Sequence, residues 1–184
     1  MYWIVEGPDS SGKTGLIDMV GKETGTEVIH TGGPQPDKNV LRGIMDSLLR
    51  KKDIIIDRLP IISETVYGEV LRGQSLFSPI EFDAYFSYLK LKNPIIIYCR
   101  PPREVIHEVR DKREENKPWK SKEHIAAVKA NLDKIITKYD DIMRYIHDSI
   151  GLGVLIWNFK NNVALDELEL GNLVLESMRH HKWD

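Results

Sequence analysis

The chain has 184 residues, 41% of them hydrophobic, and a formal net charge of −2. This length and apolar content suit one hydrophobic core, so we expect a single domain spanning residues 1–184. Charges of both signs are interspersed, which disfavours nucleic-acid binding by bulk electrostatics. The single cysteine, Cys99, excludes an internal disulfide and a multi-cysteine metal site, and we expect it to pack as a small apolar residue. No signal peptide is evident and no apolar run approaches 18 residues, so we expect a cytoplasmic protein with no membrane partner.

The stretch from Gly7 to Thr14 fits the pattern G-x-x-x-x-G-K-[ST]. An apolar run at residues 2–5 predicts a buried strand before it, and a helix is expected from Gly12 to Val20. In such a loop the backbone N–H groups bind phosphate oxygens, the lysine reaches the β- and γ-phosphates, and the threonine hydroxyl coordinates Mg²⁺. The sequence therefore predicts a site for ATP and Mg²⁺, whose candidate contacts are Gly7, Ser10, Ser11, Gly12, Lys13 and Thr14.

Strand and helix patterns alternate along the rest of the chain. Apolar runs predict strands at residues 26–30, 53–58, 94–99 and 153–158. Helical spacing predicts helices at about 37–50, at 60–72, from Ser78 onward, from Ser121 to about 150, and at 165–178, with Asp37 as an N-cap. The helix after Ser78 carries an aromatic stripe that is more typical of a core than of a ligand pocket. Five strands alternating with helices predict an α/β fold, the three-layer sandwich of P-loop NTPases with a parallel sheet covered on both faces.

Ligands of parallel sheets collect at the C-terminal ends of the strands. Asp57 and Arg58 close the third strand, beside the glycine-rich loop. We expect Asp57 to hold Mg²⁺ or its waters and Arg58 to point at a second phosphate. The alternative is that the two residues are a helix cap and a solvated charge. The segments 30–34 and 157–161 are expected at the same edge, as is Arg100 after the fourth strand, a candidate nucleotide contact.

Residues 100–123 are dense in charge, and a turn at residues 116–119 interrupts their helical pattern. A charge run is usually a solvated helix face. A helix, a tip and a second helix are also how a lid that closes over phosphates is built. We therefore expect a lid at approximately residues 100–123.

The motifs together resemble the thymidylate kinase-like branch of nucleoside monophosphate kinases. The resemblance is carried by residues 6–14, by Asp57 and Arg58 at the end of a strand, and by residues 101–104 before a basic lid. Residues 57–68 also look like a segment of small phage-encoded kinases of this branch. The resemblance implies that Asp9 contacts the sugar hydroxyl of a deoxynucleotide and that Arg58 grips the acceptor phosphate.

The catalytic arginine of this branch sits either in the loop, at the position of Ser10 here, or in the lid. The resemblance thus implies a lid arginine, with Arg110 and Arg113 as candidates and Arg100 and Arg103 behind them. Residues 82–88 lack the arginine-containing segment that reads thymine in thymidylate kinases, so the base is left open. Members of the branch are often dimers. A homodimer through the apolar helix face Ile61, Val66 and Val70 is one possibility, and burial of that face within the monomer is the other.

The leading interpretation is an ATP-dependent phosphotransferase that acts on a deoxynucleoside monophosphate, either a pyrimidine or a modified pyrimidine. A first alternative is a kinase of a hydroxyl acceptor in a nucleoside or in DNA, such as a hydroxymethylated pyrimidine base. That reaction needs a base, for which Asp9 and Asp57 are candidates, and a surface for DNA, for which the lid offers Lys117, Trp119, Lys120 and Lys122. A second alternative is a nucleotide-binding regulator without catalysis.

Overall fold

The computed structural model describes residues 2–32, 37–113 and 122–160. Its strands are β1 (Tyr2–Glu6), β2 (Glu27–His30), β3 (Ile54–Asp57), β4 (Ile95–Cys99) and β5 (Val154–Trp157). They form one parallel sheet in the order β2-β3-β1-β4-β5, with β1 at its centre. The α/β fold with a five-stranded parallel sheet, predicted from the alternation of strands and helices, is confirmed.

The helices are α1 (Lys13–Thr24), α2 (Lys38–Arg50), α3 (Pro60–Arg72), α4 (Pro79–Lys90), α5 (Arg103–Arg113), α6 (Lys122–Ala130) and α7 (Leu132–Tyr145). Asp37 caps α2, as predicted: its Oδ1 accepts hydrogen bonds from the backbone N–H of Asn39 and Val40. Ser78 and Glu81 form a capping box at the start of α4. The helix predicted at 165–178 lies outside the described residues.

The single long helix predicted from Ser121 to about residue 150 was wrong. The segment is divided between α6 and α7 at Asn131, and residues 146–150 continue α7 as a π-helical turn. The Asn131 side chain donates to the Ala127 carbonyl over 2.9 Å and shares this acceptor with its own backbone N–H, at 3.2 Å. Apolar periodicity runs through this interruption, which is why the sequence pattern did not reveal it.

The core lies on both faces of the sheet, because alternate residues of the central strands point to opposite sides. Tyr2 and Ile4 of β1 pack on the side of α2, α3, α4 and α7, whereas Trp3 and Val5 pack against α1. Ile61 and Val66 are fully buried and Val70 packs against the same cluster, so the helix face considered for a dimer is part of the core. Three residues of the α4 stripe, Phe82, Phe86 and Leu89, are also core.

The register of the sheet brings the functional strand ends together. Val5 of β1 is paired with Asp57 of β3 and with Ile97 of β4, and His30 of β2 is paired with Asp57. The segments that follow β1, β3 and β4 therefore start at one edge of the sheet. Cys99 is buried there, as expected. Among the described residues, no helix is long and apolar enough to cross a membrane.

Candidate phosphate-binding site

The loop between β1 and α1 needs two of its glycines. Gly7 has a φ of +145°, and a Cβ there would lie 2.5 Å from the Cys99 carbonyl oxygen. Gly12 has a φ of +89°, and its Cβ would lie 2.7 Å from the Phe159 ring and 2.9 Å from the Trp157 ring. Side chains at these positions would be strained and would collide with β4 and with the end of β5. The loop is therefore fitted tightly between its neighbours.

Lys13 is the first residue of α1, and its ammonium group folds back over the loop. Nζ donates to the carbonyl oxygens of Gly7 at 2.8 Å and Pro8 at 2.6 Å, and it lies 3.4 Å from Ser11 Oγ. Burial and repulsion from Arg58 lower the pKa of Lys13 to about 8, against the attraction of Asp9. The lysine is thus a buried cation held by neutral carbonyl groups, and an anion in the loop would stabilise its charge.

A second cation, the partly buried Arg58, also contacts the loop. It follows β3 with a φ of +70°, an uncommon conformation for a side-chain-bearing residue. Its Nη1 donates to the Gly7 carbonyl at 3.3 Å and to the Tyr139 hydroxyl at 3.2 Å, while Nη2 lies 2.5 Å from Asp9 Oδ1. The sequence predicted a role for Arg58 and Asp9 separately, and the structure joins them in one ion pair.

Glu6, the last residue of β1, is a site residue that the sequence interpretation did not single out. It is fully buried, and its carboxylate accepts hydrogen bonds from the N–H groups of Gly7 at 3.2 Å and Leu59 at 2.5 Å. Burial raises the pKa of Glu6 to about 7, although Arg58 and Lys13 oppose the shift. An acidic residue closing an otherwise apolar strand was the available signal, because a buried carboxylate needs partners.

Asp57 and Thr14, the residues predicted to hold a metal, lie at this end of the sheet. Thr14 is exposed in the first turn of α1, and the Asp57 carboxylate accepts a hydrogen bond from His30 Nδ1 over 2.9 Å. A hydroxyl and a carboxylate are hard oxygen donors that fit Mg²⁺. In the described part of the chain, no three His, Cys, Asp or Glu side chains cluster as a metal site. A magnesium ion here would rely on nucleotide phosphates and waters for its other ligands.

Tyrosine rings line the far side of the Arg58 guanidinium. Tyr67 of α3 and Tyr139 of α7 meet edge to face with ring centroids 6.2 Å apart, and Tyr98 of β4 stacks on Tyr139 at the same distance. Tyr67 and Tyr139 are buried. The structure places the Tyr139 hydroxyl against the arginine.

The arginines around the predicted lid do not share one environment. Arg100 makes a two-pronged ion pair with Asp140 of α7, at 2.7 and 3.0 Å, and also donates to the Pro101 carbonyl. The Arg110 side chain is buried, and its Nη2 donates to the Ile125 carbonyl. Arg103 donates to the Thr137 hydroxyl. The side chain of Arg113 lies outside the described residues, as do residues 114–121 at the predicted tip.

These contacts bring some of the predicted site residues together and place others away from the loop. The structure brings Lys13, Asp9 and Arg58 together around the loop. It directs Arg100 at α7 and holds Arg110 between α5 and α6.

No family model matches the sequence, and no curated protein matches it either. Solved structures do. The YorR protein from Bacillus subtilis, in complex with phosphorylated GDP, is 21% identical over the full length of both chains, with a TM-score of 0.74. Deoxyadenosine kinase from M. mycoides, with the products dCMP and dCDP, is 16% identical over 99% of this chain and all of the other, with a TM-score of 0.60. Polyphosphate kinase 2 from Arthrobacter aurescens TC1 is 14% identical, with a TM-score of 0.65, over all of this chain and 69% of the other.

These likenesses concern the fold. Together with the sheet described above, they establish a three-layer α/β/α sandwich around a five-stranded parallel sheet.

Proposed function

We propose that this chain is an ATP-dependent phosphotransferase that transfers the γ-phosphoryl group to a deoxynucleoside monophosphate, a pyrimidine or a modified pyrimidine. The observation that carries the proposal is a pair of cations, the buried Lys13 and the partly buried Arg58, that both contact residues 7–9. Lys13 contacts the Gly7 and Pro8 carbonyls from α1, and Arg58 contacts the Gly7 carbonyl and Asp9 from β3. One cation suits the phosphates of a donor, and the other suits the phosphate of an acceptor.

Phosphoryl transfer depends mainly on positioning and on neutralising charge, so these residues suffice for much of the chemistry. The loop N–H groups and Lys13 bind and orient the donor phosphates. Arg58 binds the acceptor phosphate, and Asp9 contacts the acceptor sugar. An acceptor that is already a phosphate needs no strong general base.

The metal of this proposal is Mg²⁺, held through Thr14 and Asp57. When bound it neutralises charge on the transferring phosphoryl group. His30 would orient the Asp57 carboxylate through the hydrogen bond that it makes in the structure.

The segment of residues 100–123 is proposed as the lid that excludes water and supplies a catalytic arginine. With Arg100 held by Asp140 and Arg110 buried against α6, Arg113 at the C-terminal end of α5 becomes the first candidate for that arginine. Arg110 remains the second.

A hydroxyl acceptor, in a nucleoside or in DNA, is the second candidate function, and one contact favours it. Asp9 lies 2.5 Å from Arg58, so a carboxylate already occupies one side of the guanidinium. An acceptor phosphate has to compete with that carboxylate, whereas a hydroxyl acceptor can use it as a base. The same contact is compatible with a monophosphate that replaces Asp9 at the arginine.

The deciding experiment is an ATP-consumption panel with Mg²⁺. The panel offers free deoxynucleoside monophosphates, free nucleosides, and duplex DNA with and without hydroxymethylated pyrimidines. Turnover on a free monophosphate is the expected result and also names the base. Phosphate transfer only to nucleosides or to DNA would replace the proposal by the hydroxyl-kinase alternative. ATP binding without transfer to any acceptor would leave a nucleotide-binding regulator.

A further inference from the structure

The loop between β1 and α1 and the turn that carries Arg58 are joined by one buried side chain. Glu6 Oε2 accepts a hydrogen bond from Gly7 N–H at 3.2 Å, on the loop side. Its Oε1 accepts one from Leu59 N–H at 2.5 Å and a longer one from Ser63 Oγ at 3.4 Å, on the α3 side. A single carboxylate therefore spans the start of the loop and the start of α3.

The turn that Glu6 contacts is in an uncommon conformation. Arg58, between Asp57 and Leu59, has a φ of +70°, which costs free energy unless the surroundings hold it. Its own N–H donates to the Val5 carbonyl at 3.1 Å, and Thr31 Oγ1 donates to the Arg58 carbonyl at 2.6 Å. The Leu59 N–H is the next backbone donor along the turn, and the Glu6 carboxylate accepts its hydrogen bond. These bonds fix the backbone from which the Arg58 side chain extends.

We propose that Glu6 is a positioning residue, which holds the Arg58 turn in register with the phosphate-binding loop so that acceptor and donor phosphates are presented to each other. This inference rests on the proposed function. Glu6 acts through Leu59 and Arg58 and has no direct contact with substrate in the proposal. An incorrectly placed arginine lowers the rate steeply, because phosphoryl transfer depends on the alignment of the two groups.

The carboxylate suits this task better than an amide does. Glu6 accepts from backbone donors with both of its oxygens. In Glu6→Gln one of the two acceptors becomes an NH₂ group, which faces an N–H donor and cannot accept its bond. The substitution keeps the size of the side chain and removes one end of the bridge.

Helix α3, whose first turn Glu6 contacts, offers a matched control. Glu64 of α3 is also fully buried, and one of its oxygens accepts hydrogen bonds from Leu76 N–H and from Arg72. These partners lie at the far end of α3 and in the loop after it. Glu64→Gln therefore perturbs a buried carboxylate of α3 without touching the turn at Arg58.

The test is a double-substitution cycle on kcat/KM for the acceptor, with dTMP, dCMP, dAMP and dGMP each offered with ATP. Glu6→Gln should lower kcat/KM about tenfold in the native background and less than about twofold in an Arg58→Ala background, since its effect passes through that arginine. Glu64→Gln should lower it less than about twofold in both. Equal effects of Glu6→Gln in the two backgrounds would overturn the inference.

Hydrogen exchange gives a readout that does not need turnover. The Leu59 amide should exchange at least about tenfold faster in Glu6→Ala than in the native chain, and less than about twofold faster in Glu64→Gln. Unchanged exchange at Leu59 in Glu6→Ala would overturn the inference even in an active enzyme. If the native chain phosphorylates no free deoxynucleoside monophosphate, modified pyrimidines included, the proposed function fails, and the exchange at Leu59 still decides whether Glu6 fixes this turn.

Discussion

Charged residues at the end of β1 and the start of α1 are buried, whereas charged residues on the outer faces of α5 and α6 are exposed. Glu6 and Lys13 are buried, and their pKa values move toward neutrality. On α5, by contrast, Glu108 pairs with Lys112 and Asp111 with Lys129, with all four side chains more than half exposed. A fold keeps costly buried charges where they have a function, whereas exposed pairs contribute little to stability. The comparison supports the proposed site at the C-terminal end of β1 and shows the outer faces of α5 and α6 as solvated surface.

The largest effect is expected from Lys13→Ala. Loss of the ammonium group removes the cation that reaches the donor phosphates, so we expect turnover to fall by about a thousandfold or more. Steady-state kinetics of ATP consumption measure it. Lys112→Ala, which removes an exposed lysine of α5, is the control and should retain native turnover. Substantial activity in Lys13→Ala would contradict the assignment of the site.

A smaller effect, confined to one substrate, is expected from Arg58→Ala. The variant loses the proposed grip on the acceptor phosphate, so the acceptor KM should rise about a hundredfold while the KM for ATP changes less than about threefold. Arg42→Ala, at an exposed arginine paired with Glu81, is the matched control. An unchanged acceptor KM in Arg58→Ala would favour the hydroxyl-acceptor alternative.

The buried lysine also predicts a pH dependence of stability. Its folded-state pKa of about 8 lies below the ordinary value of 10.5, so the unfolded chain binds more protons between those values. The free energy of unfolding of the native chain, relative to Lys13→Met, should therefore rise with pH across this window. We expect a gain of about 2 kcal/mol between pH 7.5 and pH 10. Urea unfolding of both chains at the two pH values measures it, and a pH-independent difference would mean that Lys13 is not a destabilised cation.

The smallest effect on function is expected at the Arg100 ion pair. Burial alone would raise the pKa of Asp140, but the hydrogen bonds from Arg100 and Tyr98 lower it on balance. Asp140→Asn should reduce the free energy of unfolding by about 1–2 kcal/mol and leave kcat and KM within about threefold of native values. Thermal unfolding and steady-state kinetics are the measurements. Glu108→Gln, on the exposed pair of α5, should leave the midpoint unchanged. Loss of turnover in an Asp140→Asn variant that stays folded would indicate that Arg100 belongs to the functional site.

The order of the elements and the position of the candidate site in the fold were predictable because local patterns determine them. Continuous apolar runs such as residues 54–56 are typical of strands buried on both faces, and the spacing of Gly7, Gly12 and Lys13 fixed the loop. The adjacency of Asp57 to the loop followed from the common edge of parallel strands. The observed register, with Val5 beside Asp57, agrees with that argument.

The pairings across the site were not predictable, because they depend on contacts between residues far apart in sequence. Nothing near Tyr139 signals that its hydroxyl meets Arg58, 81 residues away. Arg100 and Asp140 are 40 residues apart, so the ion pair that directs Arg100 to α7 could not be read from the charge run that suggested a lid. The bonds of Glu6 to Leu59 also required the three-dimensional register of β1 and β3.

The central position of β1 has a consequence for how the chain acquires its structure. Of the five described strands, β1 precedes the others in the sequence, and it is paired on one side with residues 54–57 and on the other with residues 95–98. Residues 2–5, which are apolar and buried on both faces, therefore lack one of their two partner strands until β4 has been synthesised. Such long-range pairing slows folding and exposes an aggregation-prone segment in the meantime. The nascent chain should depend on chaperones most strongly before β4 emerges.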